Sequence, residues 1–114
     1  MKPGDIILIR FPQADLQTGK LRPALIVAAA PGRYADFLLA LISSQIYQAI
    51  PEFDEVIEAA DSDYSATGLK VPSVIRLTRL ISVEPNAITA RLGDISPQRL
   101  QMVRNRLITW LQQP

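Results

Sequence analysis

Apolar residues fall into short runs along most of this chain and take up a helical repeat only near its end. Asp5–Phe11 (DIILIRF) is rich in β-branched residues and bounded by Pro3-Gly4 and Pro12, which predicts a strand. Ala24–Ala29 (ALIVAA) and Phe37–Ser43 (FLLALIS) read as buried strands, and Glu55–Ala59 (EVIEA) as a shorter, partly polar one. Ser73–Leu77 (SVIRL) alternates. Leu80–Val83 and Ile88–Leu92 predict a hairpin around Glu84-Pro85-Asn86-Ala87, whose residue types suit a turn. The last segment changes period. Ser96 is a suitable N-cap and Pro97 occupies the first helical position. Arg99 stands where Glu or Gln would complete a capping box. Leu100, Val103, Leu107 and Leu111 then recur at helical spacing, with Met102, Ile108 and Trp110 broadening the stripe. The expected fold is mainly β with a C-terminal α-helix, a small barrel or sandwich forming a single domain over residues 1–114.

Composition narrows the chemistry. The chain has 114 residues, no cysteine and no histidine. A thiol nucleophile, a disulfide framework, a Cys/His zinc site and a Ser-His-Asp triad are therefore excluded. A formal charge of +1 is not the basic footprint that announces a nucleic-acid protein. The longest apolar run, within Pro23–Pro31, is far short of the ~18 residues of a membrane span, and no signal peptide is read at the N-terminus. The cytoplasm is the expected location.

Charge is unevenly placed. Residues 51–70 hold six acids (Glu52, Asp54, Glu55, Glu58, Asp61, Asp63) and one base, Lys70; the rest holds eleven bases and five acids. The segment reads as a solvated acidic loop and edge strand, and a polyanion would bind on a face that excludes it. Arg99, Arg104 and Arg106 read as a solvated helix face, since a dense Lys/Arg row suited to a lipid surface is lacking.

The informative polar residues sit at the ends of, or inside, apolar strands. Arg22 precedes Pro23, which keeps its backbone extended. It is either a solvent-facing strand end or a cation at the mouth of a site. Ser43 and Ser44 close the third apolar run ahead of Gln45, either capping the strand or offering a hydroxyl to a phosphate oxygen. Arg76 and Thr78 would share one face of their strand, as residues two apart do. Arg22, Ser43 and Arg76 carry chemistry suited to phosphate; spacing alone does not bring them together.

The stretch GDIILIRFPQADLQTGKLRPALIVAA, the LISSQ at 41–45 and SVIRLTRLISVE at 73–84, followed by an amphipathic helix, resemble the MazF/PemK/Kid family of toxins from bacterial type II toxin–antitoxin pairs. The resemblance implies an SH3-like barrel, a homodimer, and a metal-independent, sequence-selective endoribonuclease acting on single-stranded RNA without a cofactor. It also implies an antitoxin partner with an acidic C-terminal segment. Arg22 matches the family's Arg-Pro arginine, and Ser43 the family Thr/Ser, which together form the catalytic pair of many members. Arg76 matches an arginine used by Kid-like members. Those members carry Asp where this chain has Thr78, and a first-loop His that is missing here.

On this resemblance Arg22 would clamp the scissile phosphate and Ser43 would donate to a phosphoryl oxygen. RNA would supply the 2′-hydroxyl nucleophile. Lys20, the Gln13–Lys20 loop, Gln45, Arg76 and Thr78 would contact the strand. A guanidinium is a poor base, so solvent or a carboxylate would take the proton. The alternative is a non-catalytic or CcdB-like toxin of the same fold that acts by binding gyrase or another protein.

Overall fold

The computed structural model describes residues 1–10 and 20–114. Among the described residues six strands are formed: β1 Asp5–Arg10, β2 Leu21–Ala29, β3 Phe37–Ser43, β4 Glu55–Ile57, β5 Ser73–Val83 and β6 Ile88–Asp94. A four-residue helix α1, Tyr64–Thr67, precedes β5, and α2 spans Pro97–Leu111. The strands make one antiparallel sheet in the order β4-β5-β3-β2-β1-β6. No helix among the described residues is long and apolar enough to cross a membrane. Phe11, at the end of the first expected strand, lies outside the described residues, as does the Gln13–Lys20 loop except for Lys20.

The expected hairpin is corrected. The turn exists, as a short 3-10 helix over Pro85–Ala87, but β5 pairs with β3 and β4 while β6 pairs with β1. Turn chemistry brings two strands close in sequence without choosing their partners. This connection also requires the sheet to curl. In a flat sheet β5 and β6 would be four strand spacings apart, roughly 19 Å. The step from Val83 to Ile88 spans at most ~17 Å when fully extended, and less through a 3-10 turn. Curling lets Ile81 and Val83 of β5 and Ile88 of β6 pack against the same cluster, built on Ile7, Ile9, Ala24, Ile26, Phe37 and Leu39. The result is a curled six-stranded sheet, in keeping with the small barrel or sandwich expected from the sequence.

The segments expected as separate strands, Ser73–Leu77 and Leu80–Val83, are one strand with a break in register. Leu41 lies opposite Arg76 but Ala40 lies opposite Leu80, which leaves Leu77, Thr78 and Arg79 as the excess. A smaller bulge leaves Val27 unmatched between the Ile26–Leu39 and Ala28–Leu38 pairs.

The other sheet face packs on α2. Ile6, Leu25, Ile42, Ile75 and Leu77 meet Val103 and Leu107 of the helix, with Leu100 half-buried beside them. Burying side chains of this size is worth about 1.5–3 kcal/mol each. The apolar stripe is narrower than expected: Met102, Ile108, Trp110 and Leu111 are exposed, and Trp110 makes a T-shaped contact with Phe53, with ring centroids 5.4 Å apart.

The arginines of α2 are the second correction. They do not form a solvated face. Arg104 donates two hydrogen bonds, of 2.9 and 2.8 Å, to the carbonyl of Val27, the residue left over by the β2 bulge. Arg106 donates to the Phe53 and Asp54 carbonyls and to Glu55. Arg99 uses all five of its N–H donors. Nε and Nη2 grip Asp63 at 2.9 Å each, Nη2 also reaches Asp61, and Nη1 donates to Glu55 and the Val56 carbonyl. The Ser96 hydroxyl caps the helix by accepting from the Arg99 N–H at 3.1 Å. The carboxylate missing from the capping box comes from Asp63, which accepts from the Ser96 N–H at 3.0 Å. The acidic segment is correspondingly not a solvated loop throughout, since Asp54 and Glu55 are buried.

This arrangement sets an acid limit on stability. The Arg99 guanidinium holds the Asp63 carboxyl at about 2, below its ordinary 3.8, with the Ser96 N–H helping against the cost of burial. Asp61 is lowered too, first by the Glu58 N–H and then by Arg99. A carboxylate lowered on folding stabilises the native state above its unfolded value, and this stability is lost as the pH falls through the folded one. The urea midpoint should therefore hold from neutrality down to about pH 5 and fall steeply below pH 4. Asp63→Asn should start lower at pH 7 and lose less between pH 4 and pH 2. Equal pH slopes for the variant and the parent would remove Asp63 from this role.

Candidate functional site

Strand register determines which candidate residues share a face. Leu41 of β3 lies opposite Ala24 of β2 and opposite Arg76 of β5. Two residues further along, Ser43 lies opposite Val74, and the same register carried across β2 sets Arg22 opposite Ser43. Pro23 has no N–H to give, and the β2–β3 ladder begins only after it, at Ala24. Opposite residues and residues two apart project from one face. Arg22, Ser43 and Arg76 therefore stand on the same side of three neighbouring strands, at the margin of the Ile7–Ile26–Leu39 cluster.

Arg22 is exposed and pairs with Ile9 on its other flank. Arg10, opposite Leu21, and Lys20, exposed just ahead of β2, add positive charge at this end of the sheet. Arg10 was not picked out by sequence pattern, because it reads as the polar end of an apolar strand.

Ser43 ends β3. Its Oγ accepts from the Gln45 N–H at 3.1 Å, which is the capping role open to it from sequence, and its own proton remains available to a further acceptor. The Gln45 Oε1 in turn accepts from the Tyr47 hydroxyl at 3.2 Å and from Gln48 Nε2 at 2.7 Å, across the 3-10 turn Ile46–Gln48. Gln48 Oε1 accepts from Arg76 Nη1 at 2.8 Å. Three of the candidate residues, Ser43, Gln45 and Arg76, are thus joined through Gln48 in one hydrogen-bonded chain. Gln48 and Tyr47 were missed in the sequence; the only signal was the three-residue spacing of Gln45 and Gln48 in a turn. Thr78 does not join this chain. It lies exposed in the three-residue bulge of β5, two residues beyond Arg76.

Lys20, Arg22 and Thr78 are exposed, and Ser43 and Arg76 are partly so. Among the described residues, cavities of about 590 and 330 Å³ lie elsewhere, the first against α2 and Phe53, the second between the N-terminus and the start of α2. Among the described residues no group of three or more acids is arranged to hold a metal ion. Glu55, Asp61 and Asp63 converge, but on the Arg99 guanidinium. A basic strip with hydroxyl and amide donors along a sheet margin suits an extended anionic polymer.

Comparison with known proteins agrees with this shape. The model of the PemK-like, MazF-like toxins of type II toxin–antitoxin systems matches residues 2–111. Among curated proteins none matches the chain. Among solved structures, an endoribonuclease in complex with its cognate antitoxin, from a mycobacterial species, is similar at 13% identity, covering 100% of this chain and 97% of that one, with a TM-score of 0.71. The Mycobacterium tuberculosis toxin MazF-mt6 is similar at 13% identity over 96% and 98% of the two chains, with a TM-score of 0.69. The MazE–MazF structure from Deinococcus radiodurans is similar at 18% identity over 100% and 97%, with a TM-score of 0.68. At such identities the structural likeness shows the fold, and the family match shows the family. The chain belongs to the PemK-like, MazF-like toxins of type II toxin–antitoxin systems.

Proposed function

We propose that this toxin is a metal-independent, sequence-selective endoribonuclease for single-stranded RNA. The observation that carries the reading is the shared sheet face of Arg22, Ser43 and Arg76 on an open, basic margin. An endoribonuclease among the similar structures supports it. The 2′-oxygen of the substrate attacks phosphorus, the P–O5′ bond breaks, and a 2′,3′-cyclic phosphate and a 5′-hydroxyl result. The 2′-hydroxyl proton passes to solvent or a carboxylate, and the leaving 5′-oxygen takes a proton from solvent. Arg22 clamps the phosphate with two parallel N–H donors, and Ser43 donates its proton to a phosphoryl oxygen. Lys20, Gln45 and Arg76 hold the flanking strand, with Thr78 at its edge. Base preference arises from splayed bases stacked or hydrogen-bonded in the groove.

The working unit is a homodimer. Its inhibitor is an antitoxin with an extended acidic C-terminal segment that occupies the same basic strip as RNA. The antitoxin complexes among the similar structures support such a partner. Incubation with total RNA in EDTA should give defined fragments and leave gyrase supercoiling unaffected. Intact RNA together with inhibited supercoiling would reverse the assignment in favour of a CcdB-like poison.

A further inference from the structure

Arg76 is held on one edge only. Its side chain is 17% exposed, and its Nε is buried without a hydrogen-bond partner, 3.7 Å from Asp54 Oδ2. The Asp54 side chain is fully buried, and both its oxygens are engaged by backbone: Oδ1 accepts from the Leu77 N–H at 2.8 Å and Oδ2 from the Ile50 N–H at 2.9 Å. The carboxylate cannot turn toward Nε without releasing one of them. It attracts the guanidinium by charge and fixes it by position. On the other side, Gln48 takes Nη1 at 2.8 Å, and Gln48 is itself fixed by Gln45, whose N–H ends on Ser43. Among the described residues Nη2 has no partner and is not buried. A buried donor left unbonded needs a reason, because it costs the full desolvation of that group. Here the reason is directional: a guanidinium drawn inward by a carboxylate that does not close on it keeps its outer edge for another anion.

We propose that Gln48 and Asp54 are positioning residues that aim the open edge of Arg76 at the phosphate seated beside Ser43. This inference rests on the ribonuclease reading above. Gln48 is the residue to test, because loss of Asp54 also frees the backbone of Ile50 and Leu77 and invites unfolding. Gln48→Ala should lower kcat/KM on single-stranded RNA about tenfold. In an Arg76→Ala background the same change should cost nothing more, since there is no guanidinium left to aim. Gln48→Glu, which keeps an acceptor for Arg76 but loses the Nε2 donor held by Gln45 and sets a negative charge beside the phosphate, should not recover the loss. Unfolding midpoints of all variants, measured in parallel, separate aim from stability. Additive losses in the double variant, or full activity of Gln48→Ala, would overturn the inference and leave the ribonuclease reading standing. A wild-type chain that leaves RNA intact would overturn both.

Discussion

Arg22→Ala is expected to lower RNA cleavage by about a thousandfold while the protein remains folded. The expectation combines two terms. One preorganised donor aimed at charge developing in the transition state is worth ~10²–10³ in kcat, and Arg22 offers two from a rigid fork. Against this, Arg22 is exposed at the end of a strand, where substitution changes stability by only about 0.5 kcal/mol. Arg22→Lys keeps the charge but replaces the fork by a single point, so it should recover only a minor part of the rate. Ser43→Ala should lose less than Arg22→Ala. Single-turnover cleavage of a short RNA, with circular dichroism of each variant, measures both terms. A folded Arg22→Ala protein that cleaves at the parent rate would remove the residue from the mechanism.

Arg99→Met is expected to do the opposite: it should strongly destabilise the protein without touching the candidate site. Arg99 joins the first turn of α2 to Glu55, Asp61 and Asp63, and its side chain is 11% exposed. Its affinity for its proton is raised, first of all by its hydrogen bonds to Asp63. Removing one partner of a buried ion pair costs ~3–5 kcal/mol, because the charges left behind are neither hydrated nor neutralised. Here three carboxylates lose a common cation, although Asp61, whose side chain is 31% exposed, can recover some hydration. Total stability of a small domain is only about 5–15 kcal/mol, so the loss is a large fraction of it. Arg99→Lys should be intermediate, since one ammonium cannot satisfy the groups that five N–H donors reach. Urea unfolding at pH 7 checks this; a midpoint unchanged in Arg99→Met would show the cluster to be dispensable.

Local features were legible in the chain, and contacts between distant segments were not. Phe37–Ser43 was read with its observed bounds, because an apolar run ending in serines is a local signal. The start of α2 was equally plain, since Ser96 and Pro97 act within one turn. The partners of β5 and β6 were not legible, because a turn says nothing about the three strands that come between them in the sheet. The inward role of Arg99 escaped for the same reason: its carboxylates lie 36 to 44 residues upstream, and in the sequence they read as a charged surface. Arg22 and Ser43 were nameable from their chemistry, but their common face follows from the register of β2 on β3, which spacing along the chain does not contain.

The most direct measurement is to map the ends produced on a long single-stranded RNA in EDTA by the parent, Arg22→Ala and Ser43→Ala proteins. If Arg22 and Ser43 grip one phosphate while the 2′-oxygen attacks it, the parent leaves 5′-hydroxyl and 2′,3′-cyclic phosphate ends at a recurrent sequence, and both variants leave far fewer. Fragments with 5′-phosphate ends, or parent-level cutting by both variants, would contradict the account.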